Sequence, residues 1–163
     1  MSAYRGEIMQ TLDILNTRDI KKIRQLFEGT YGAFFTGDYA YLQNKDGRLS
    51  LINKDMAKID LQKLRVDKFG LYVAEIKGNS VRLSKEGAQL LAKEARDKLK
   101  NIVELDSREI KAYFHGIDLR KDLGAEAKFV LIEYKGDIVG CSKYKEGIIL
   151  NYLPKIHRGE VIV

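Results

Sequence analysis

Four cations crowd a short stretch near the end of the chain. Lys143, Lys145, Lys155 and Arg158 lie between Gly140 and Gly159, opposed there by Glu146 alone. Lysine and arginine at this density suit one kind of chemistry, the neutralising of phosphate oxygens and the release of counterions condensed around a nucleic acid. The same charges also suit an ordinary solvated face. His157 falls between Lys155 and Arg158 and offers a hydrogen bond or a stacking ring. Tyr144 and Tyr152 are candidates for base stacking or for core filling, and for Tyr152 the core is the expected place.

The groups that announce catalysis do not assemble. His115 and His157 are far apart, and His115 follows Phe114 at an expected helix end, where an imidazolium complements the dipole. Cys141 is the sole cysteine, so no intrachain disulfide can form; set in Val139-Gly140-Cys141-Ser142, it is expected as a buried, inert thiol. No glycine-rich phosphate loop joins a strand to a helix. No His/Cys/carboxylate cluster has metal-ligand spacing, and the carboxylates are scattered among lysines rather than paired for acid–base work. The expectation is a protein that is not an enzyme, with no cofactor and no bound metal.

The chain has 163 residues, enough for one domain or two small ones sharing an interface. Apolar residues at 45% supply a core, and charged residues at 32% supply a solvated surface. Lysine and arginine number 29 against 23 acidic residues, a net +6 that speeds encounter with phosphate polymers. From Lys100 onward eleven basic residues face ten acidic ones, so most of the excess lies upstream and the late cluster is a local feature. No apolar run approaches the ~20 residues of a membrane helix. Residues 1–15 lack the basic start and apolar run of a secretory signal. A cytoplasmic protein with no membrane partner is expected.

Alternation over residues 8–15 suits a strand. Thr17 reads as a helix N-cap, with Asp19 in the first turn, Ile20, Ile23 and Phe27 at helical spacing and Gly29 as the stop, which predicts a helix over 18–28. An aromatic stretch runs from Tyr31 to Tyr41. Asp46-Gly47 between apolar runs predicts a hairpin of 39–43 with 48–52, and Lys77-Gly78-Asn79 a second, of 69–76 with 80–83. A helical turn or two is expected over 53–59. Ser84 caps a helix over 85–99 whose stripe is Leu91, Ala95 and Leu99.

After Lys100 the pattern restarts. A short strand over 101–105 leads into Asp106-Ser107-Arg108-Glu109, a capping box, and a helix ended by Gly116. Residues 118–127 read as irregular. Strands follow over 129–134, 138–144 and 148–153, ended by Pro154, and a last short strand over 160–163. Along 148–153, alternation puts Ile148, Leu150 and Tyr152 on one face and Asn151 and Leu153 on the other. Lys143 and Lys145 share a parity and are expected to face solvent beside Asn151. The overall expectation is an α+β chain of two units divided near Lys100.

The second unit resembles a PUA domain, a small RNA-binding module. The resemblance rests on an ordered series: Asn101-Ile-Val-Glu-Leu105, the capped helix, Phe114-His-Gly-Ile-Asp-Leu119, Phe129-Val-Leu-Ile-Glu-Tyr134, Gly136-Asp-Ile-Val-Gly140 and Leu150-Asn-Tyr-Leu-Pro-Lys155. Many such domains carry a further glycine two residues after Gly140, where this chain has Ser142. Upstream, Phe69-Gly-Leu-Tyr72 and Ser80-Val-Arg-Leu-Ser-Lys-Glu-Gly87 resemble a pre-PUA domain.

The resemblance implies residues 1–99 as a mixed α/β pre-PUA domain packed on a PUA pseudo-barrel of mixed strands at 100–163. The pair is similar to archaeal and eukaryotic large-subunit ribosome-biogenesis factors and to the RNA-recognition part of archaeal RNA 5-methylcytosine methyltransferases. It therefore implies non-catalytic binding of structured RNA, ribosomal or transfer, as an accessory to ribosome biogenesis or RNA modification, in an archaeal setting. It places RNA along Gly116, Ile117 and Asp118 at the corner and along the segment from Lys155 to Arg158. Lys143, Lys145, His157 and Asn151 complete the expected site. The alternative is an adaptor whose first unit, through its aromatic stretch, docks a larger RNA-modifying enzyme or assembly factor.

Overall fold

The computed structural model describes residues 12–57, 70–155 and 158–159. Among them the chain is α+β, with two five-stranded sheets and helices packed on them. The first sheet is an antiparallel meander in chain order. It comprises β1 (Leu12–Ile14), β2 (Tyr39–Asn44), β3 (Arg48–Asn53), β4 (Leu71–Lys77) and β5 (Ser80–Leu83). Helix α1 (Thr17–Tyr31) links β1 to β2, and the short α2 (Lys54–Ala57) follows β3. The two expected hairpins form, with Gly47 and Gly78 at positive φ in the turns.

Helix α1 begins and ends away from the expected residues. Its N-cap is Asn16, whose side chain accepts the Asp19 N–H, and Thr17 is already helical. The helix also runs through Gly29 and stops at Gly32, which sits at φ +82°. Gly29 is exposed, and an added Cβ there meets nothing within 4 Å. Burial of Phe27 and Tyr31 on either side keeps that turn helical at the modest cost of one glycine. At Gly32 a Cβ would lie 2.3 Å from the Lys98 carbonyl oxygen. The stop is therefore set by backbone conformation and close approach together.

Ser84 caps α3 (Lys85–Ala95) as expected: its hydroxyl accepts from Gly87 N–H and donates to the Tyr72 carbonyl. The last turn tightens to a 3₁₀ segment, Arg96–Lys98. The second sheet then has the order β6-β8-β9-β10-β7, made of β6 (Ile102–Glu104), β7 (Leu119–Arg120), β8 (Lys128–Tyr134), β9 (Asp137–Lys145) and β10 (Ile148–Leu150). Only β6 pairs parallel, on β8; the remaining pairs are antiparallel and the sheet curls into a half-barrel. Helix α4 (Ser107–Phe114) carries the full capping box between Asp106 and Glu109. Residues 118–127, expected to be irregular, contain β7.

Each sheet has its own core, and the first core reaches into the second sheet. Val130, Ile132, Tyr144, Ile149, Ile110 and Tyr113 fill the curled sheet beneath α4. Phe27, Tyr31, Leu49, Val73, Leu83 and Leu91 pack together with Leu131, Ile138 and Cys141 from the outer face of β8 and β9. Within the aromatic stretch Tyr31, Phe34, Phe35 and Tyr41 are buried in this core, with Phe34 stacked on Tyr41, while Thr36 and Asp38 are exposed and Tyr39 is half-buried. Further ties cross the seam: Lys100 N–H to the Tyr31 carbonyl, Asn101 Nδ2 to the Thr30 carbonyl, and Arg96 to Glu133.

The strand expected at 160–163 lies outside the described residues, as do residues 8–11 of the expected first strand and the end of the turn expected at 53–59. Among the described residues no helix is long and apolar enough to cross a membrane.

These two glycines give opposite expectations. Replacing Gly29 with Ala stabilises the protein by ~0.5–1 kcal/mol, through helix propensity. Replacing Gly32 with Ala costs ~1–3 kcal/mol from the left-handed backbone alone, and more from the Lys98 collision. Urea denaturation of the two variants measures both.

Candidate nucleic-acid interface

The corner after α4 is held by backbone groups that close the helix. Gly116 N–H donates to the Tyr113 carbonyl and Ile117 N–H to the Ala112 carbonyl, with Gly116 at φ +84°. A β-carbon at Gly116 would lie 2.7–2.8 Å from Nε, Cδ and Cζ of Arg158. The missing side chain is therefore the space in which the arginine lies. Arg158 Nε donates to the Leu153 carbonyl at 3.0 Å, and Gly159 N–H donates to the Phe114 carbonyl at 2.8 Å. Arg158 and Gly159 thus lie back against the helix end.

Asn151 joins the two parts. Its amide donates to the carbonyls of Tyr113, at 2.8 Å, and Ile117, at 3.1 Å. Its side-chain oxygen accepts from Leu153 N–H, and its own N–H donates to Asp118 at 2.7 Å. One asparagine therefore saturates four groups, and the Asp118 carboxylate already accepts a backbone hydrogen bond within the fold. These bonds also explain why β10 stops at Leu150 rather than at 153. From Asn151 on, the backbone leaves the ladder to bond the corner.

The expected site residues divide into two groups. Gly116, Ile117, Asp118, Asn151 and Arg158 come together, with Lys155 exposed on the same fold-back and its carbonyl accepting from Arg158 N–H. Ile117 is 54% exposed, an apolar residue standing out at the corner. Lys143 and Lys145 lie elsewhere. They pair with Leu150 and Ile148, on the outer face of the curled sheet. Asn151 turns its side chain to the corner instead, which corrects the expectation that these lysines sit beside it. Lys143 Nζ rests 4.6 Å from the Phe129 ring centre. His157 lies outside the described residues.

Of the two stacking candidates, Tyr144 is in the core, and Tyr152, expected there, is not. Tyr144 is fully buried; its hydroxyl donates to the Gly124 carbonyl and accepts from Leu123 N–H, so it is a core residue and offers no stacking face. Tyr152 is 39% exposed, with the Arg82 guanidinium 5.4 Å over its ring centre. Arg82 belongs to β5, and nothing in local spacing connects it to Tyr152 seventy residues later. Ser142 is fully buried, and neither its hydroxyl nor that of Tyr113 has a hydrogen-bond partner among the described residues. Burial pushes the Tyr113 phenol up to about 12, with the nearby Ser142 hydroxyl pulling the other way. Cys141 is buried and burial raises its thiol, the setting of an unreactive cysteine. Among the described residues no group of three or more His, Cys, Asp or Glu is placed to hold a metal.

The comparisons with known proteins bear on this same half of the chain. The family model described as the methyltransferase RsmF PUA domain matches residues 100–158. The curled sheet, α4 and the fold-back are similar to that domain. The match takes in the corner and the residues of the fold-back up to Arg158. No curated protein matched the chain.

Asn151 is the joint of this interface. Its replacement by Ala leaves the Ile117 carbonyl and the Leu153 N–H without their partner and the Tyr113 carbonyl with Gly116 N–H alone, at a cost of ~1–3 kcal/mol. Amide exchange reads the local part of the effect: protection falls at Leu153 and Gly159, while Val73 and Leu83 of the first sheet keep theirs.

Proposed function

We propose that the protein binds structured RNA, ribosomal or transfer, without acting on it, and that the corner and fold-back carry the contact. The supporting observation is the laying of Arg158 across Gly116, with Lys155 beside it and the match to a PUA domain over the same residues. The glycine corner lets the Arg158 side chain lie across it, where a Cβ would collide. Lys155 supplies a mobile point charge, and Arg158 a planar fork already oriented by its bond to the Leu153 carbonyl. Such a surface reads backbone and shape more than sequence.

In this reading the first sheet and its helices are a pre-PUA domain, and the protein serves as an accessory in ribosome biogenesis or RNA modification. Lys143 and Lys145 contribute at a second, outer face and not at the corner. The adaptor reading stays the alternative: Tyr31, Phe34, Phe35 and Tyr41 of its aromatic stretch are buried, while Thr36, Asp38 and the half-buried Tyr39 line an open cleft.

Salt dependence tests the proposal. For an RNA stem-loop, replacing Lys155 with Ala lowers affinity and reduces the slope of log K against log salt by ~0.7–0.9. Arg158→Lys keeps the charge but not the fork: the slope is retained while affinity falls. Unchanged slopes in folded Lys155→Ala and Lys155→Ala/Arg158→Ala variants would refute the contact.

A further inference from the structure

A crevice opens where the two sheets meet, close to the fold-back but not part of it. Its volume is about 270 Å³. The first unit supplies Tyr72, Arg82 and the start of α3; the second supplies Tyr113, Gly140 and the segment Tyr152-Leu153-Pro154. The sequence reading named Tyr152 as a stacking candidate but did not join it to Arg82, because the two walls of the crevice are distant in the chain.

Its floor carries an unsatisfied polar group. Tyr113 is 1% exposed, and its hydroxyl has no hydrogen-bond partner among the described residues. That hydroxyl reaches Gly140, where an added Cβ would come within 2.3 Å of it. A buried phenol without a partner costs the fold its desolvation and returns nothing. Natural structures hold few such groups, and a ligand-facing role is one reason to keep one.

The walls fit a flat, mostly apolar ligand that carries hydrogen-bonding edges. Leu83, Leu153 and Pro154 are apolar, and Tyr72 and Tyr152 present aromatic rings. Arg82 is held over the Tyr152 ring and also lies 3.8 Å from Glu75. Lys85 stands at the mouth, but so does Glu86, whose carboxylate disfavours a bare phosphate. The size is at the small end of ligand pockets, which run from ~300 Å³ upward, and suits one nucleoside rather than a strand. Pro154 lines the crevice and Lys155 follows it directly, so a strand lying on the fold-back passes the mouth.

We propose that this crevice receives a single unpaired nucleotide of the bound RNA, with its base against Tyr152 and its edge on the Tyr113 hydroxyl. The inference rests on the RNA-binding reading above and deepens it. It makes the protein selective for RNA that has an unstacked base beside a helical stem, because a paired base does not leave its stack without cost. Arg82 then cradles the base from the first unit, so recognition needs both units.

The test uses the full chain and two stem-loops of equal charge, one fully paired in its stem and one with a single bulged nucleotide. The wild type binds the bulged RNA about tenfold more tightly. Tyr113→Phe and Tyr152→Ala abolish that preference, leave affinity for the paired RNA unchanged and keep the salt slope. Tyr113→Phe melts no lower than the wild type, since the hydroxyl it removes makes no hydrogen bond of good geometry, not even to the Ser142 hydroxyl near it; this separates a ligand-facing group from a structural one. Equal wild-type affinity for the two RNAs, or variants that weaken both alike, overturns the crevice while the corner interface stands. Failure of the wild type to bind either RNA overturns both.

Discussion

The hydroxyl of Tyr31 holds the architecture at its centre. It donates to the Val81 carbonyl at 2.6 Å and lies 3.4 Å from the Cys141 sulfur. One group at the end of α1 thus touches the edge strand of the first sheet and the outer face of the second. Burial and the neighbouring thiol push its phenol well above the ordinary value. The neutral, hydrogen-bonding form is therefore the one the fold keeps. Around it Leu131, Ile138 and Cys141 complete a core that begins in the other sheet. Neither sheet has its full apolar face covered without this seam, and small units standing apart bury too little surface to be secure.

The seam also decides which surfaces remain for recognition. By covering the middle of β8 and β9 it leaves the end near Tyr152 and Phe129 uncovered, with their rings 6.4 Å apart. It brings Arg82 across from β5 to that end. The corner of α4 and the fold-back lie next to that end, fixed by Asn151. Two cationic faces result, one with Arg158 and Lys155, the other with Lys143, Lys145 and Arg82. The charge cluster seen in sequence is split because the chain leaves the ladder after Leu150, so Lys143 and Lys145 stay on the sheet while Lys155 and Arg158 go to the corner.

Local signals in the sequence were legible where a single residue type decides a backbone state. The hairpin turns and the caps at Ser84 and Asp106 follow from such rules. Signals failed where tertiary packing made the choice. Gly29 reads as a stop, yet α1 continues because Phe27 and Tyr31 bury there. Alternation grouped Tyr152 correctly with Ile148 and Leu150. It could not say which face was inward, since β10 is apolar on both sides and the sheet has cover on both. Tyr144 is drawn into the half-barrel by bonds to Leu123 and Gly124, which decides between the two places open to it in sequence. The crevice was invisible for a simpler reason: contact between residue 82 and residue 152 leaves no periodic trace in a single chain.

Cys141 lends the seam a built-in gauge. The chain has no other sulfhydryl, and this one is buried where the two halves meet, on the wall of the crevice between them. A soluble disulfide reagent reaches it along that crevice, so the speed of thiol modification reports how open the line between the halves is. A molecule lodged between the halves would slow the reaction, and a change confined to the distant surface of α1 would leave it alone.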